Sequence, residues 1–86
     1  MTKAASPDNA SLYRMTGALI KELRVSRRMS GEILGGLLGI SQQQISRYER
    51  GESKLTLNQI NNISYVFNMS LWEFMEILRF FCEENK

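Results

Sequence analysis

Three times in this chain a Ser or Thr is followed three positions later by Gln or Glu, at the head of an apolar run with helical spacing. The stretches are Ser41-Gln42-Gln43-Gln44, Thr56-Leu57-Asn58-Gln59 and Ser70-Leu71-Trp72-Glu73. In such a capping box the hydroxyl oxygen accepts the N–H of the third residue, and the Gln or Glu side chain reaches back to the cap N–H. Two donors that the helix cannot satisfy internally are thereby paired. One box alone says little. Three, each heading a periodic run, predict three helix starts. Leu55, just before the second box, is placed to staple the start of its helix.

The rest of the chain agrees with a helical reading. Leu12, Met15, Leu19, Ile20 and Leu23 fall on one stripe and predict a helix over residues 11–28. Ser30 is positioned as the N-cap of a second helix that ends near Gly39, with Ile33, Leu34, Leu37 and Leu38 filling a broad apolar arc. No run alternates with period two, and no Asn-Gly or Asp-Gly hairpin signal occurs. The fold class is therefore all-α, with five helices over residues 11–86. Residues 1–10, small and polar around the single proline, read as a flexible arm.

Composition narrows function more than fold. The chain has 86 residues, no histidine and one cysteine. Nucleophiles activated by histidine and His-ligated zinc are excluded, and Cys82 alone builds neither an internal disulfide nor a Cys₄ site. No cofactor or metal is expected. The N-terminal residues lack an apolar signal core, and no run approaches the ~20 apolar residues of a membrane span. A cytoplasmic binding protein, not an enzyme, is the expectation.

The join between the second and third helices is the informative place. Leu38-Gly39-Ile40-Ser41 ends one helix on a glycine and caps the next two residues later. Glycine enters the left-handed conformation at little steric cost, so the chain turns sharply there, and Ile40 ties the turn to the core. Two short helices joined this way form a helix-turn-helix, whose second helix suits a DNA major groove.

Residues 29–51, Met-Ser-Gly-Glu-Ile-Leu-Gly-Gly-Leu-Leu-Gly-Ile-Ser-Gln-Gln-Gln-Ile-Ser-Arg-Tyr-Glu-Arg-Gly, closely resemble the helix-turn-helix of the phage repressor and Cro family. The family's pattern has a Leu-Ser-Gln-Glu start, a Gly-Ile-Ser turn and an Ile-Ser-Arg-x-Glu-x-Gly ending. The resemblance extends over roughly residues 17–78 and implies a five-helix, lambda-repressor-like domain that binds operator DNA as a homodimer. The Gln-rich stretch is also similar to short regulators of bacterial fimbrial operons. Three departures stand out: Gly31 where glutamine is usual, Gly36 where a polar helix former is usual, and no proline before the fourth helix.

On a helical wheel the third helix puts Ile45, Tyr48 and Gln44 on one side, and Gln42, Gln43, Ser46, Arg47 and Arg50 on the other. Glutamine can pair with adenine N6 and N7, and arginine with guanine O6 and N7. The resemblance implies base contacts at Gln42, Gln43 and Arg47. Phosphate contacts are expected at the second helix's N-terminus around Ser30 and Gly31, where free N–H groups and the helix dipole favour anions. Lys54, Arg50 and Ser46 are further phosphate candidates, and Arg27 and Arg28 are candidates for steering DNA. Charge is distributed to match. Residues 1–54 hold nine Lys/Arg and five Asp/Glu, a net +4, and residues 55–86 carry −2. In similar repressors an arginine at the Arg24 position pairs with the glutamate at Glu49, which implies a structural ion pair here.

The fifth helix is apolar around most of its circumference, more than an outer helix needs for its own core. Trp72, Met75, Arg79 and Phe80 are the expected homodimer surface. Two further readings stay open from sequence. One is an antitoxin-like module that binds a toxin protein and autoregulates its operon; the other is a protein-interaction adaptor that kept the fold and lost operator recognition.

Overall fold

A computed structural model describes residues 9–85. Among them are five helices and no strand: α1 (Asn9–Ser26), α2 (Gly31–Leu38), α3 (Gln42–Glu49), α4 (Leu57–Val66) and α5 (Leu71–Glu84). Helices α2 and α3 pack on each other, α1 crosses α3 and α5, and α4 lies against α5 and α2. Leu19, Ile20, Leu34, Ile45, Tyr48, Leu55, Ile63, Phe67, Phe74 and Leu78 form the buried core, so every helix and the α3–α4 loop contribute to it. No helix of the described residues is long and apolar enough to cross a membrane.

The caps fall where local chemistry puts them. Thr56–Gln59 and Ser70–Glu73 form complete capping boxes. At α3 only half the box is made: the Gln44 N–H donates to the Ser41 hydroxyl at 3.0 Å. Ser30 caps α2 in the same one-sided way, accepting from the Ile33 N–H at 3.0 Å. Gly39 takes φ 72° and ends α2, its N–H donating to the Gly35 and Gly36 carbonyls.

The first helix departs from the sequence reading at both ends. It begins at Asn9, inside the stretch read as an arm, and its first turns are held where Arg14 packs against Gly51. The remainder of that arm lies outside the described residues. It stops at Ser26, two residues early, because Arg28 adopts φ 54°. The Arg28 and Met29 N–H groups then turn back onto the Val25 and Arg24 carbonyls, at 2.9 and 3.1 Å.

The second helix spends only part of its apolar arc. Leu34 is fully buried and Leu38 packs against the core, whereas Ile33 and Leu37 stay 54% and 61% exposed. An eight-residue helix touching α3 and α4 from one side cannot cover so wide an arc. Gly36 shares that outer face, and a Cβ there would meet nothing within 4 Å. Gly36→Ala is therefore expected to stabilise the domain by about 1 kcal/mol, since only the helix-propensity cost of glycine is removed. A rise in the urea midpoint at unchanged slope would report it; a fall would mean the face is covered.

Candidate nucleic-acid interface

The outward face of α3 is set by how that helix is held. Ile45 and Tyr48 anchor it in the core, and the Tyr48 hydroxyl accepts from the Gln59 Nε2 at 2.8 Å, tying α3 to α4. The anchoring turns Gln42, Gln43 and Arg47 to the exposed side, while Ser46 and Gln44 are half-buried. A Cβ on Gly31 would touch the Gln42 Cγ at 3.5 Å and the Ile45 Cγ2 at 3.8 Å. The absent side chain therefore leaves Gln42 without a neighbour from α2 at that point. Ser30, as the N-cap, stands at the same end of the motif with Gly31 directly behind it.

Beneath this face Arg24 and Glu49 meet in a two-pronged ion pair, Nε to Oε2 at 2.7 Å and Nη2 to Oε1 at 3.0 Å. Their side chains are only 15% and 7% exposed. The remaining prong of Arg24 donates to the Met29 carbonyl at 2.8 Å, in the link between α1 and α2. Hydrogen bonding to Glu49 raises the Arg24 pKa above its ordinary value, against the opposing effect of burial. The guanidinium stays charged at any pH the fold survives.

The remaining cations sort into engaged and free. Arg50 donates to Glu52 through Nε and Nη2 at 2.9 and 3.0 Å, and that hydrogen bonding holds the Glu52 carboxyl below its usual range. Arg27 reaches the Phe67 carbonyl at 3.3 Å and lies over the Phe67 ring, so it serves the end of α4. Arg47, Lys54 and Arg28 have no hydrogen bond or ion pair with any described residue. Of these engagements the Arg27 contact is tertiary, whereas Arg50 and Glu52 are only two residues apart.

Helix α5 also differs from a uniform patch. Trp72 is 76% exposed, with Met75 beside it, but Arg79 is committed to Glu76 at 2.8 Å and Glu83 at 3.6 Å. Hydrogen bonding to Arg79 holds the Glu76 carboxyl below its usual range, and the guanidinium also lies over the Phe80 ring. This charged line continues the stripe that Trp72 heads, with Met75 on one side of it and Phe80 on the other. Met75 instead borders an apolar groove with Leu12, Leu57 and Ile60, of which Leu57 is 65% exposed.

A family model described as helix-turn-helix matches residues 20–73. The chain belongs to the helix-turn-helix family. Its fold is that of the lambda-repressor-like domains. A Thermococcus kodakarensis protein bearing the name of an HTH-type transcriptional regulatory protein is 35% identical over 77 residues, covering 88% of this chain. The match takes in 24% of that protein, so the chain spans about a quarter of its length. Among solved structures, the restriction-modification controller protein C.AhdI of Aeromonas hydrophila superposes with a TM-score of 0.72 at 24% identity. That likeness covers 79% of this chain and 99% of the controller, and shows the fold. The hydroxypropylphosphonic acid epoxidase of S. wedmorenis has a matching region with TM-score 0.66 and 28% identity, covering 72% of this chain and 33% of the epoxidase. The same fold thus occurs both as nearly a whole small protein and as one part of an enzyme.

Proposed function

We propose that this chain is a sequence-specific DNA-binding transcriptional regulator, acting as a homodimer on a roughly palindromic operator. The observation that carries the reading is the outer face of α3. Gln42, Gln43 and Arg47 stand exposed opposite buried Ile45 and Tyr48, and Arg47 makes no hydrogen bond or ion pair with any described residue, its electrostatic influence falling on Glu52. An arginine or glutamine left unpaired on a firmly anchored helix is suited to hydrogen-bond base edges. Ser30, Gly31, Ser46 and Lys54 surround that face and suit phosphate contacts. Arg50 must first release Glu52 to join them.

Two copies would meet through Trp72 and Met75, with Leu57 and Leu12 extending the same apolar surface. Arg79 and Phe80 belong to its far rim. Such a dimer sets its two recognition helices about 34 Å apart, one turn of DNA. Exposure of Trp72 and Leu57 supports this choice, since neither side chain is used by the core.

Selection of bound duplexes from a random pool tests the reading, with two substitutions to separate its parts. Arg47→Ala should relax preference at one base position of each half-site, costing about 1–3 kcal/mol on the selected sequence. Lys54→Ala should weaken binding to all sequences alike and lower the salt slope by about 0.9. Enrichment of no sequence at low salt would overturn the proposal. Protection of a single unpaired half-site on footprinting would overturn the dimer.

A further inference from the structure

Two cations on α1 have no part in the reading above. Arg14 and Lys21 are exposed, and neither has a hydrogen bond or ion pair with any described residue. Seven residues apart, they lie two turns apart on one side of the helix, separated by roughly 10 Å along its axis.

The packing of α1 fixes which side this is. A Cβ on Gly51, two residues past the end of α3, would lie 2.7 Å from both the Cα and Cγ of Arg14. Gly17 presses against the Tyr48 and Glu49 carbonyls, and Arg24 holds the Glu49 carboxylate. The contact line of α1 therefore runs along the C-terminal half of the recognition helix. On one flank of that line Leu12, Tyr13 and Thr16 face the groove shared with Leu57, Met75 and Leu78, toward α4 and α5. Arg14 and Lys21 fall on the other flank. Tyr48 bonds α4 on the corresponding side of α3, so the opposite flank of α3, on the same side as Arg14 and Lys21, bears Ser46 and Arg50.

From this juxtaposition we infer that Arg14 and Lys21 form a second edge of the DNA interface, gripping the phosphate backbone beside the groove that α3 enters. The inference rests on the DNA-binding reading and adds contacts from a helix outside the helix-turn-helix. The acids nearby leave the edge positive. Glu49 is taken by Arg24 and Glu52 by Arg50, which leaves Glu22 as the open carboxylate on this stretch of α1. A phosphodiester strand is the matching partner because it offers repeated anions along a line, whereas base edges require donors placed individually.

The test compares the parent with Arg14→Gln, Lys21→Gln and the double variant on a mixed-sequence duplex and on the duplex the parent selects. Glutamine keeps the aliphatic stem that packs on Gly51 and removes the charge. The double variant should bind both duplexes more weakly, with the plot of log K against log salt shallower by about 1.8, or about 0.9 per lost contact. Base preference in a fresh selection should stay as in the parent. An unchanged slope overturns the inference, whether or not affinity falls. If Arg47→Ala still relaxes base preference while the slope is unchanged, this second edge fails alone. If the parent binds neither duplex, the DNA-binding reading fails and takes the edge with it.

Discussion

Cutting Arg24 back to alanine is expected to destabilise the domain by about 3 kcal/mol, near the lower end of the cost of breaking a buried ion pair. A domain of this length has a net stability of only roughly 4–12 kcal/mol, so the variant would keep roughly 1–9 kcal/mol and unfold at a markedly lower urea concentration. The cost arises on the carboxylate side. Without the guanidinium, the Glu49 carboxylate, only 7% exposed in the parent, loses both of its close donors in a largely enclosed position. The link at Met29 also loses the bond that fixes it to α1. Glu49→Ala should cost less, because Arg24 is more open to water and retains the Met29 carbonyl. Urea unfolding of the two single variants and the double variant measures the coupling between the residues. Coupling below about 1 kcal/mol, the level of an exposed pair, would mean that the pair does not hold α3 against α1.

What was legible in the sequence is what neighbouring residues decide. The hydroxyls of Ser30, Ser41, Thr56 and Ser70 each bond an N–H three positions on, so their helix starts are visible without knowledge of the fold. The left-handed glycine at Gly39 is similarly local. The wheel of α3 placed Gln42, Gln43 and Arg47 outward because one buried side fixes the other. Long-range features left no trace. The end of α1 at Arg28 involves a positive φ on a residue that rarely adopts one, and no glycine announced it. The engagement of Arg27 by the Phe67 carbonyl depends on where two distant helix ends finally lie, whereas Arg50 and Glu52 are two residues apart and pair locally. On α5 the pairs of Arg79 with Glu76 and Glu83 have i,i+3 and i,i+4 spacing, so that charged line is local to the helix. Leu12 and Leu57 line the groove beside Met75, and both look like ordinary apolar helix positions until α1 and α4 are set beside α5.

The same chemical change that should help at Gly36 is expected to do the most damage at Gly17. A Cβ at Gly17 would overlap the Tyr48 carbonyl oxygen and lie 2.7 and 2.8 Å from the Glu49 carbonyl oxygen and carbon. All three obstacles are backbone atoms of the recognition helix, so no side-chain rotation relieves them. Either α1 moves away from α3, uncovering Leu19, Ile20 and Ile45, or α3 tilts. Overpacking a core typically costs 1–3 kcal/mol, and a backbone clash should fall at the upper end or beyond, at about 3 kcal/mol or more. Nothing in the residues around Gly17 marks this requirement, because the obstructing atoms lie more than thirty residues later. Urea unfolding of Gly17→Ala and Gly36→Ala side by side makes a sharp comparison: one methyl group added to each, with opposite signs expected. The first variant should also lose DNA affinity, since tilting α3 shifts Arg47 relative to the Arg14 and Lys21 edge. If Gly17→Ala were as stable as the parent, the close approach of α1 to α3 would be wrong, and the placement of that cationic edge beside the recognition helix would fall with it.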